Sequence, residues 1–408
     1  MKKNKHIVIV TTNFANGGTE RRAMVLANGL ASKGYKVTYL VTNKIYTDVV
    51  YKLDDSIELL SVSGFAASDT ASAEKAISQK HIKKKLKLLN FMHRVAKKLK
   101  IKTPFVNRKK KVLTRIAALR AFIICNQGAT FVPFGIGNYE SVFFAAEGLK
   151  CKLLFSEINV PSFVNDPNEQ VVFESVYSHI LKKANACIFQ TEEQKSYYGN
   201  CVCKNGYIIK NPITTSLPPF YTGERKHVVV NFCRTHPQKN LLLLIDAFKL
   251  FSEKHDNYIL EIYGSTSTEI ARNYKVEILK RISDLELENK IFIYDAVPDV
   301  HKRIFDYAMF VSSSDYEGLS NSMIEAMALG LPCICTDCEG GGSREVITDG
   351  ENGLIVPVRD AEAMCEAMCK IAQDSLLAEK IGRKASQIRD ELSVENIVNK
   401  WIEVITSI

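Results

Sequence analysis

Apolar runs and amphipathic stretches alternate along this chain in a way that predicts strands and helices in strict succession. His6 to Val10 is a short apolar run of the kind that forms a buried strand. A polar loop from Asn13 to Gly18 follows, then an amphipathic stretch from Thr19-Glu20 to about Lys33, with Thr19 as the expected N-cap. Gly34 stops that helix, and Lys36 to Val41 is the next strand. A βαβ opening of this kind predicts a parallel sheet with right-handed crossovers. After Gln127 the alternation resumes, with strands expected at Thr130–Pro133, Lys152–Phe155, Ala186–Phe189 and Tyr207–Ile209. Asn211-Pro212 closes this half, and Pro218-Pro219 to Glu224 reads as a linker.

The second half restarts the pattern. Strands are expected at Val228–Phe232, Ile259–Tyr263, Ile291–Tyr294, Phe310–Val311, Cys333–Cys335 and Leu354–Val356, with helices between them. Beyond Ala361 only helical patterns remain, ending around Trp401 and Val404. The fold class is therefore α/β, with two doubly wound Rossmann-like domains. Their expected limits are residues 1–220, carrying a basic insertion at about 65–127, then 221–385, and a C-terminal helical segment at 386–408.

Composition sharpens this picture. At 408 residues the chain exceeds what one hydrophobic core ordinarily serves. No window approaches the ~20 apolar residues of a membrane span. The basic start and brief apolar run of MKKNKHIVIVTTN are too short for a signal peptide and read as the first strand. The 11 cysteines, without a secretory signal, point to a reducing compartment. Cys333 and Cys335 alternate within a strand as small hydrophobes, and Cys201-x-Cys203 with Cys333-x-Cys335-x-x-Cys338 does not make paired zinc knuckles, so no bound metal is expected.

Charge is uneven. From Lys75 to Arg120 there are thirteen lysines, four arginines and no acids, +17 against a whole-chain total of +9, which leaves −8 for the rest. Such a block seeks a polyanion. Within it Leu86, Leu88, Leu89, Phe91, Met92, Val95 and Leu99 recur at roughly helical spacing among lysines, which fits either a solvated helix or one lying on an anionic membrane face. No aromatic array or reader module for nucleic acid is present, and none is expected as a partner.

The stretch from Phe310 to Pro332 carries the clearest chemistry. A strand, a polar turn from Ser312 to Gly318 and a helix starting near Ser320 place two acids, Glu317 and Glu325, around a helix N-terminus. Such a terminus favours an anion such as a diphosphate, whereas ionised carboxylates suit the hydroxyl donors of a sugar. Ser322-Met323-Ile324-Glu325 equally fits a capping box, in which the acid only ties off backbone donors. Lys239 stands just before Asn240, the expected N-cap of the helix from Asn240 to Phe251, where a cation is unfavourable unless an anion binds there. Arg234 on the same loop would add a second clamp; a solvated surface pair is the alternative. Gly17-Gly18 lets the backbone approach a ligand at the carboxyl end of the first strand, or simply makes a tight turn.

Together these residues resemble the retaining glycosyltransferases of family four, the group 1 transferases with the GT-B fold of two domains facing across a cleft. The resemblance runs through Glu317-Gly318-Leu319-Ser320-Asn321 to Glu325 and on to Pro332, the family's E-x7-E signature, then Gly340-Gly341-Gly342 to Glu345 and Asp349 to Leu354. It includes Arg234 and Lys239-Asn240, Gly17-Gly18-Thr19-Glu20-Arg21, Gln190 to Lys195 and Lys210 to Ile213. It covers nearly the whole chain apart from the basic insertion.

The resemblance implies that Glu325 binds the ribose hydroxyls of a nucleotide and that Glu317 faces the donor sugar. It implies that Arg234 and Lys239 hold the diphosphate, assisted by backbone N–H groups of Leu319, Ser320, Asn321, Gly17 and Gly18. Tyr263-Gly264 and Ala296-Val297 match loops enclosing the base, and the last helix is expected to return to the first domain. No metal or other cofactor is implied; the nucleotide-sugar, UDP-linked, is a substrate. A saccharide or lipid-linked saccharide hydroxyl is the implied acceptor, in capsule or similar surface polysaccharide assembly on the cytoplasmic face of the membrane. Two departures stand out: Phe155-Ser156-Glu157-Ile158-Asn159-Val160-Pro161 replaces the loop that carries a histidine in many members, and Cys233-Arg234 replaces Gly-Arg. Rival readings are a catalytically silent partner subunit and a nucleotide-sugar epimerase or phosphorylase on the same fold.

Overall fold

The computed structural model describes residues 6–15, 17–47, 49, 52–62, 109–157, 180–199, 205–213 and 217–408. Most of the basic segment, with the helix expected inside it, lies outside the described residues, as do Ile158 to Pro161. The chain forms two compact units, Met1–Pro212 with Val394–Ile408, and Ile213–Ser393. The division thus falls at Pro212 rather than after the Pro218-Pro219 linker, because Ile213 bridges to Ser393 and Arg389 donates to the Pro218 carbonyl at 2.6 Å.

The first unit is built on a seven-stranded sheet in the order β3-β2-β1-β4-β5-β6-β7. Its strands are β1 His6–Phe14, β2 Lys36–Ile45, β3 Glu58–Ser61, β4 Thr130–Pro133, β5 Lys152–Ser156, β6 Ala186–Phe189 and β7 Gly206–Ile208. Every neighbouring pair is parallel. A parallel sheet covered on both faces needs strands apolar at every position, and Ile7, Val8, Ile9 and Val10 are all fully buried. β3 is an addition to the expected strands. Among the described residues it pairs only with β2, at the sheet edge, and its exposed Glu58 gives it no apolar run to announce it.

The first helix spans Gly18–Ser32 with Gly17, not Thr19, at the N-cap. No side chain makes a cap bond at this start, and the acid of the first turn is Glu20. Its carboxylate folds back over Gly17, where an added Cβ would lie 2.1 Å from Oε2. Burial raises the Glu20 carboxyl above its ordinary range, and a hydrogen bond with its own backbone N–H works the other way. The last helix, Val394–Ser407, packs on this first helix within the same unit, so closely that a Cβ on Gly29 would sit 2.3 Å from Val398. Trp401 is 1% exposed and stacks on Phe134 at 6.2 Å. The Arg22 guanidinium lies over both rings and donates to the carbonyls of Glu157 (3.2 Å) and Ile209 (3.3 Å), tying the ends of β5 and β7 to the two helices. Burial holds the Arg22 pKa down to about 10, with Glu157 opposing the shift.

The second unit repeats the plan with six strands in the order β10-β9-β8-β11-β12-β13. They are β8 Lys226–Phe232, β9 Ile259–Tyr263, β10 Ile291–Tyr294, β11 Tyr307–Ser312, β12 Cys333–Thr336 and β13 Leu354–Val356, again all parallel. Its core joins Val229, Leu260 and Met309 of the sheet to Leu244 and Phe248 of the helix Leu241–Ser252 and to Met364 and Met368 of the helix Ala361–Gln373. Strand order reverses between β8 and β11. Crossovers leave in opposite directions from such a pair, so a crevice opens outside its carboxyl ends, where open α/β sheets bind ligands. The loops leaving β8 (233–240) and β11 (313–320) carry Arg234, Lys239 and Glu317.

Candidate active site

The loop after β8 turns through a short 3-10 segment, Pro237–Lys239, into Asn240. Asn240 adopts a left-handed conformation (φ 43°) that asparagine tolerates, and it caps the next helix by accepting from the Leu243 N–H at 3.3 Å. Four hydrogen bonds stitch this loop to the one after β11. Asp315 N–H donates to the Gln238 carbonyl (2.9 Å), Gln238 Nε2 to the Tyr316 carbonyl (2.8 Å), Ser313 Oγ to the Lys239 carbonyl (2.9 Å) and Asn240 Nδ2 to Asp315 (2.9 Å).

This stitching brings Lys239 Nζ into direct ion-pair contact with Glu317 Oε2, with side chains 10% and 22% exposed. Burial alone would lower the Lys239 pKa, but attraction to Glu317 and the hydrogen bond between them outweigh it, and the net shift is upward. Arg234, on the same loop, is exposed and donates to Gln238 Oε1 at 3.3 Å. His236 is held below its ordinary range, first by burial and then by the Arg234 and Lys239 cations. Cys233, where a glycine was expected, has its thiol pushed up to about 11, chiefly by burial, with Lys239, Glu317 and Arg234 all acting on it. It is therefore a neutral thiol among three charges. Its backbone also sets the approach of β9. A Cβ at Gly264 would lie 2.4 Å from Thr235 Oγ1 and 2.9 Å from the Cys233 carbonyl.

The second acid sits in the helix Asn321–Ala328, whose N-cap is Ser320. Ser320 makes no side-chain cap bond; its hydroxyl meets that of Ser322 at 3.0 Å. Glu325 falls in the second turn, beyond reach of the first N–H groups, so the capping-box alternative does not hold. Instead Glu325 Oε2 contacts His301 Nε2 at 2.9 Å, with the two residues 5% and 7% exposed. A glycine run underpins the Glu317 turn. A Cβ at Gly342 would lie 1.9 Å from the Gly318 carbonyl oxygen, so backbone passes directly against backbone there.

Glu317, Leu319, Ser320, Asn321, Glu325, Arg234 and Lys239 thus gather on two neighbouring loops and one helix start. Tyr263 is placed differently from expectation. It is 4% exposed, donates its hydroxyl to the buried Glu261 at 2.6 Å and stacks on Tyr294 at 5.0 Å. The ring that reaches the surface of that stack is Tyr294, 37% exposed. Burial pushes the Tyr263 hydroxyl up to about 12, with the Glu261 bond adding to the shift. Val297 lies half-buried in the loop after β10. Gly17 and Gly18 belong to the first unit, at the carboxyl end of β1. Sequence reasoning missed His301 and Tyr294; a lone histidine in a polar stretch carries no local signal of a carboxylate partner 24 residues away.

Residues 219–388 match the family described as glycosyl transferases group 1. The chain is 30% identical over 227 residues to the poly(ribitol-phosphate) alpha-N-acetylglucosaminyltransferase of Staphylococcus aureus, 55% of this chain and 44% of that protein. It is 24% identical over 233 residues to the poly(glycerol-phosphate) alpha-glucosyltransferase of Bacillus subtilis, 56% of this chain and 33% of that protein. The aligned part is therefore less than half the length of either relative. Among solved structures, TarM superposes with a TM-score of 0.73 at 18% identity, covering 98% of each chain. Anabaena HepE in complex with UDP superposes with a TM-score of 0.71 at 14% identity, covering 99% of this chain and 100% of that one. With its two parallel α/β units the chain has a GT-B fold, and residues 219–388 within it are similar to the glycosyl transferases group 1.

Proposed function

We propose that this chain is a retaining, metal-independent glycosyltransferase that moves a sugar from a UDP-sugar to a hydroxyl of a saccharide or lipid-linked saccharide acceptor in surface polysaccharide assembly. The observation that carries this reading is the Lys239–Glu317 ion pair, beside Glu325 on the next helix, at the carboxyl ends of the two strands where sheet order reverses. The names of the two relatives, both α-glycosyl transfer to polyol-phosphate polymers, support the reaction class and extend the acceptor range to polyol phosphates. UDP in the structure of a GT-B neighbour supports the donor.

In this reading Arg234 and Lys239 take the diphosphate oxygens and stabilise the negative charge that grows there as the glycosidic bond breaks. Two cations serve where a metal-dependent transferase would array acids around an ion. Glu317 gives up part of its hold on Lys239 to the phosphate and turns its free lone pairs to the donor sugar's hydroxyls. The start of the helix at Asn321 adds its positive end, and Glu325 accepts from the ribose. Retention follows either from acceptor attack on the face the diphosphate leaves or through a short-lived oxocarbenium pair. In both, a leaving phosphate oxygen takes the acceptor proton.

The test is nucleotide release from a panel of UDP-, ADP- and GDP-sugars, with and without poly(glycerol phosphate) as acceptor. Release from a UDP-sugar, lost in Glu325→Ala, is expected. Release from no donor, or release unchanged in Glu325→Ala, contradicts the proposal.

The basic segment Lys75–Arg120 supports a peripheral site on the anionic inner face of the cell membrane, since each basic residue near such a surface is worth about 1 kcal/mol. Among the described residues no helix is long and apolar enough to cross a membrane. Sedimentation with phosphatidylglycerol vesicles is expected at low salt and should be lost at high salt; no binding at either contradicts the membrane site.

A further inference from the structure

We infer that His301 is the positioning residue for Glu325: it fixes the carboxylate that reads the ribose of the donor. The inference rests on the donor reading proposed above and adds to it a residue that no motif supplies.

An ionised carboxylate only accepts hydrogen bonds. The 2.9 Å contact between His301 Nε2 and Glu325 Oε2 therefore requires the proton on Nε2, which selects one imidazole tautomer. The ring has little freedom to leave. His301 opens the short helix His301–Ile304 and meets Phe232, the last residue of β8, edge-to-face at 5.6 Å. Phe232 in turn packs on Phe310 of β11 at 5.2 Å. The imidazole is thus seated against the carboxyl end of β8, while Glu325 stands on the helix that follows β11. Glu325 is only 5% exposed, so the His301 N–H is one of the donors that take the place of water at its carboxylate. The contact holds that carboxylate in one orientation. The contact on Oε2 takes one of about four lone-pair sites of the carboxylate, and the ribose hydroxyls would be accepted at others.

The site then follows a pattern known from metal ligands, in which a residue that never touches the ligand orients the one that does. The predicted signature is specific. Loss of the Nε2 donor should weaken recognition of the ribose and leave the chemistry at the anomeric carbon largely intact.

The experiment compares His301→Gln, whose amide nitrogen falls near the Nε2 position, with His301→Asn, whose amide stops short of Glu325. Both are polar and uncharged, and a thermal melt of each separates the larger hole that asparagine leaves from loss of the donor at the Nε2 position. Binding of UDP, ADP and GDP is measured against their 2′-deoxy and 3′-deoxy forms, with donor KM and kcat measured alongside. The wild type should prefer the ribonucleotide at least ~10-fold, the scale of one hydrogen bond to a charged group. His301→Gln should keep that preference within about threefold. His301→Asn should lose most of it, with donor KM raised ~10-fold and kcat changed far less. Gln and Asn variants that behave alike, whether both retain or both lose the preference, overturn the role of His301. A wild type indifferent to the ribose hydroxyls overturns the donor reading itself, and this inference with it.

Discussion

Replacing Lys239 by alanine is expected to lower turnover by about 10²–10³-fold, the range seen when one group that stabilises developing oxyanion charge is removed. The substitution also strands Glu317, and breaking a fully buried pair costs about 3–5 kcal/mol. The cost here should be smaller, because the Glu317 side chain is 22% exposed and can rehydrate. The double variant Lys239→Ala with Glu317→Gln separates the two effects: it should recover thermal stability and leave turnover depressed. The pH dependence has a definite sign. The folded pKa of Lys239 lies above the ordinary 10.5. The pair's contribution to stability is therefore fully present below that ordinary value and is lost only as pH rises through the higher, folded one. Lys239 should cause no loss of activity across the neutral range.

Gly342→Ala is expected to cost at least about 100-fold in kcat/KM as well as stability, because a shift of about 1 Å in a catalytic turn is enough for that. The new Cβ would lie 1.9 Å from the carbonyl oxygen and 2.6 Å from the carbonyl carbon of Gly318, both backbone atoms that cannot rotate away. The turn holding Glu317 must move, and Glu317 then loses its register with Lys239. Gly350→Ala is the control. Its φ of +72° makes alanine strained, yet nothing lies within 4 Å of the added carbon, so the cost should appear in stability, on the order of 1 kcal/mol, and not in turnover. Kinetics and thermal melts on the two variants check the contrast.

The way these elements could be read, or not, from the chain has physical causes. Thr130–Pro133 and Ala186–Phe189 form as expected because interior parallel strands are covered on both faces, which leaves a run buried at every position. β3 escapes because an edge strand is held on one side only and can begin with a charge. The first helix starts at Gly18 with Gly17 at the N-cap and no side-chain cap bond, so Thr19, the expected cap, lies inside it. Glu317, Glu325, Arg234 and Lys239 are legible as a motif. Their pairing is not: Lys239 and Glu317 are 78 residues apart, and only the reversal of strand order between β8 and β11 brings them together. His301 is invisible for the same reason, since its meaning lies wholly in Glu325. The burial of Tyr263 is not legible either, because its place at the end of a strand says nothing of the buried Glu261 that its hydroxyl meets.

The most direct measurement is a crystal structure of the chain with UDP bound. The account predicts the β-phosphate within hydrogen-bond distance of Lys239 Nζ and the Arg234 guanidinium, and a ribose hydroxyl donating to Glu325 while His301 stays on Oε2. A nucleotide seated elsewhere, or one that leaves the Lys239–Glu317 and Glu325–His301 contacts without a phosphate or ribose beside them, would contradict it.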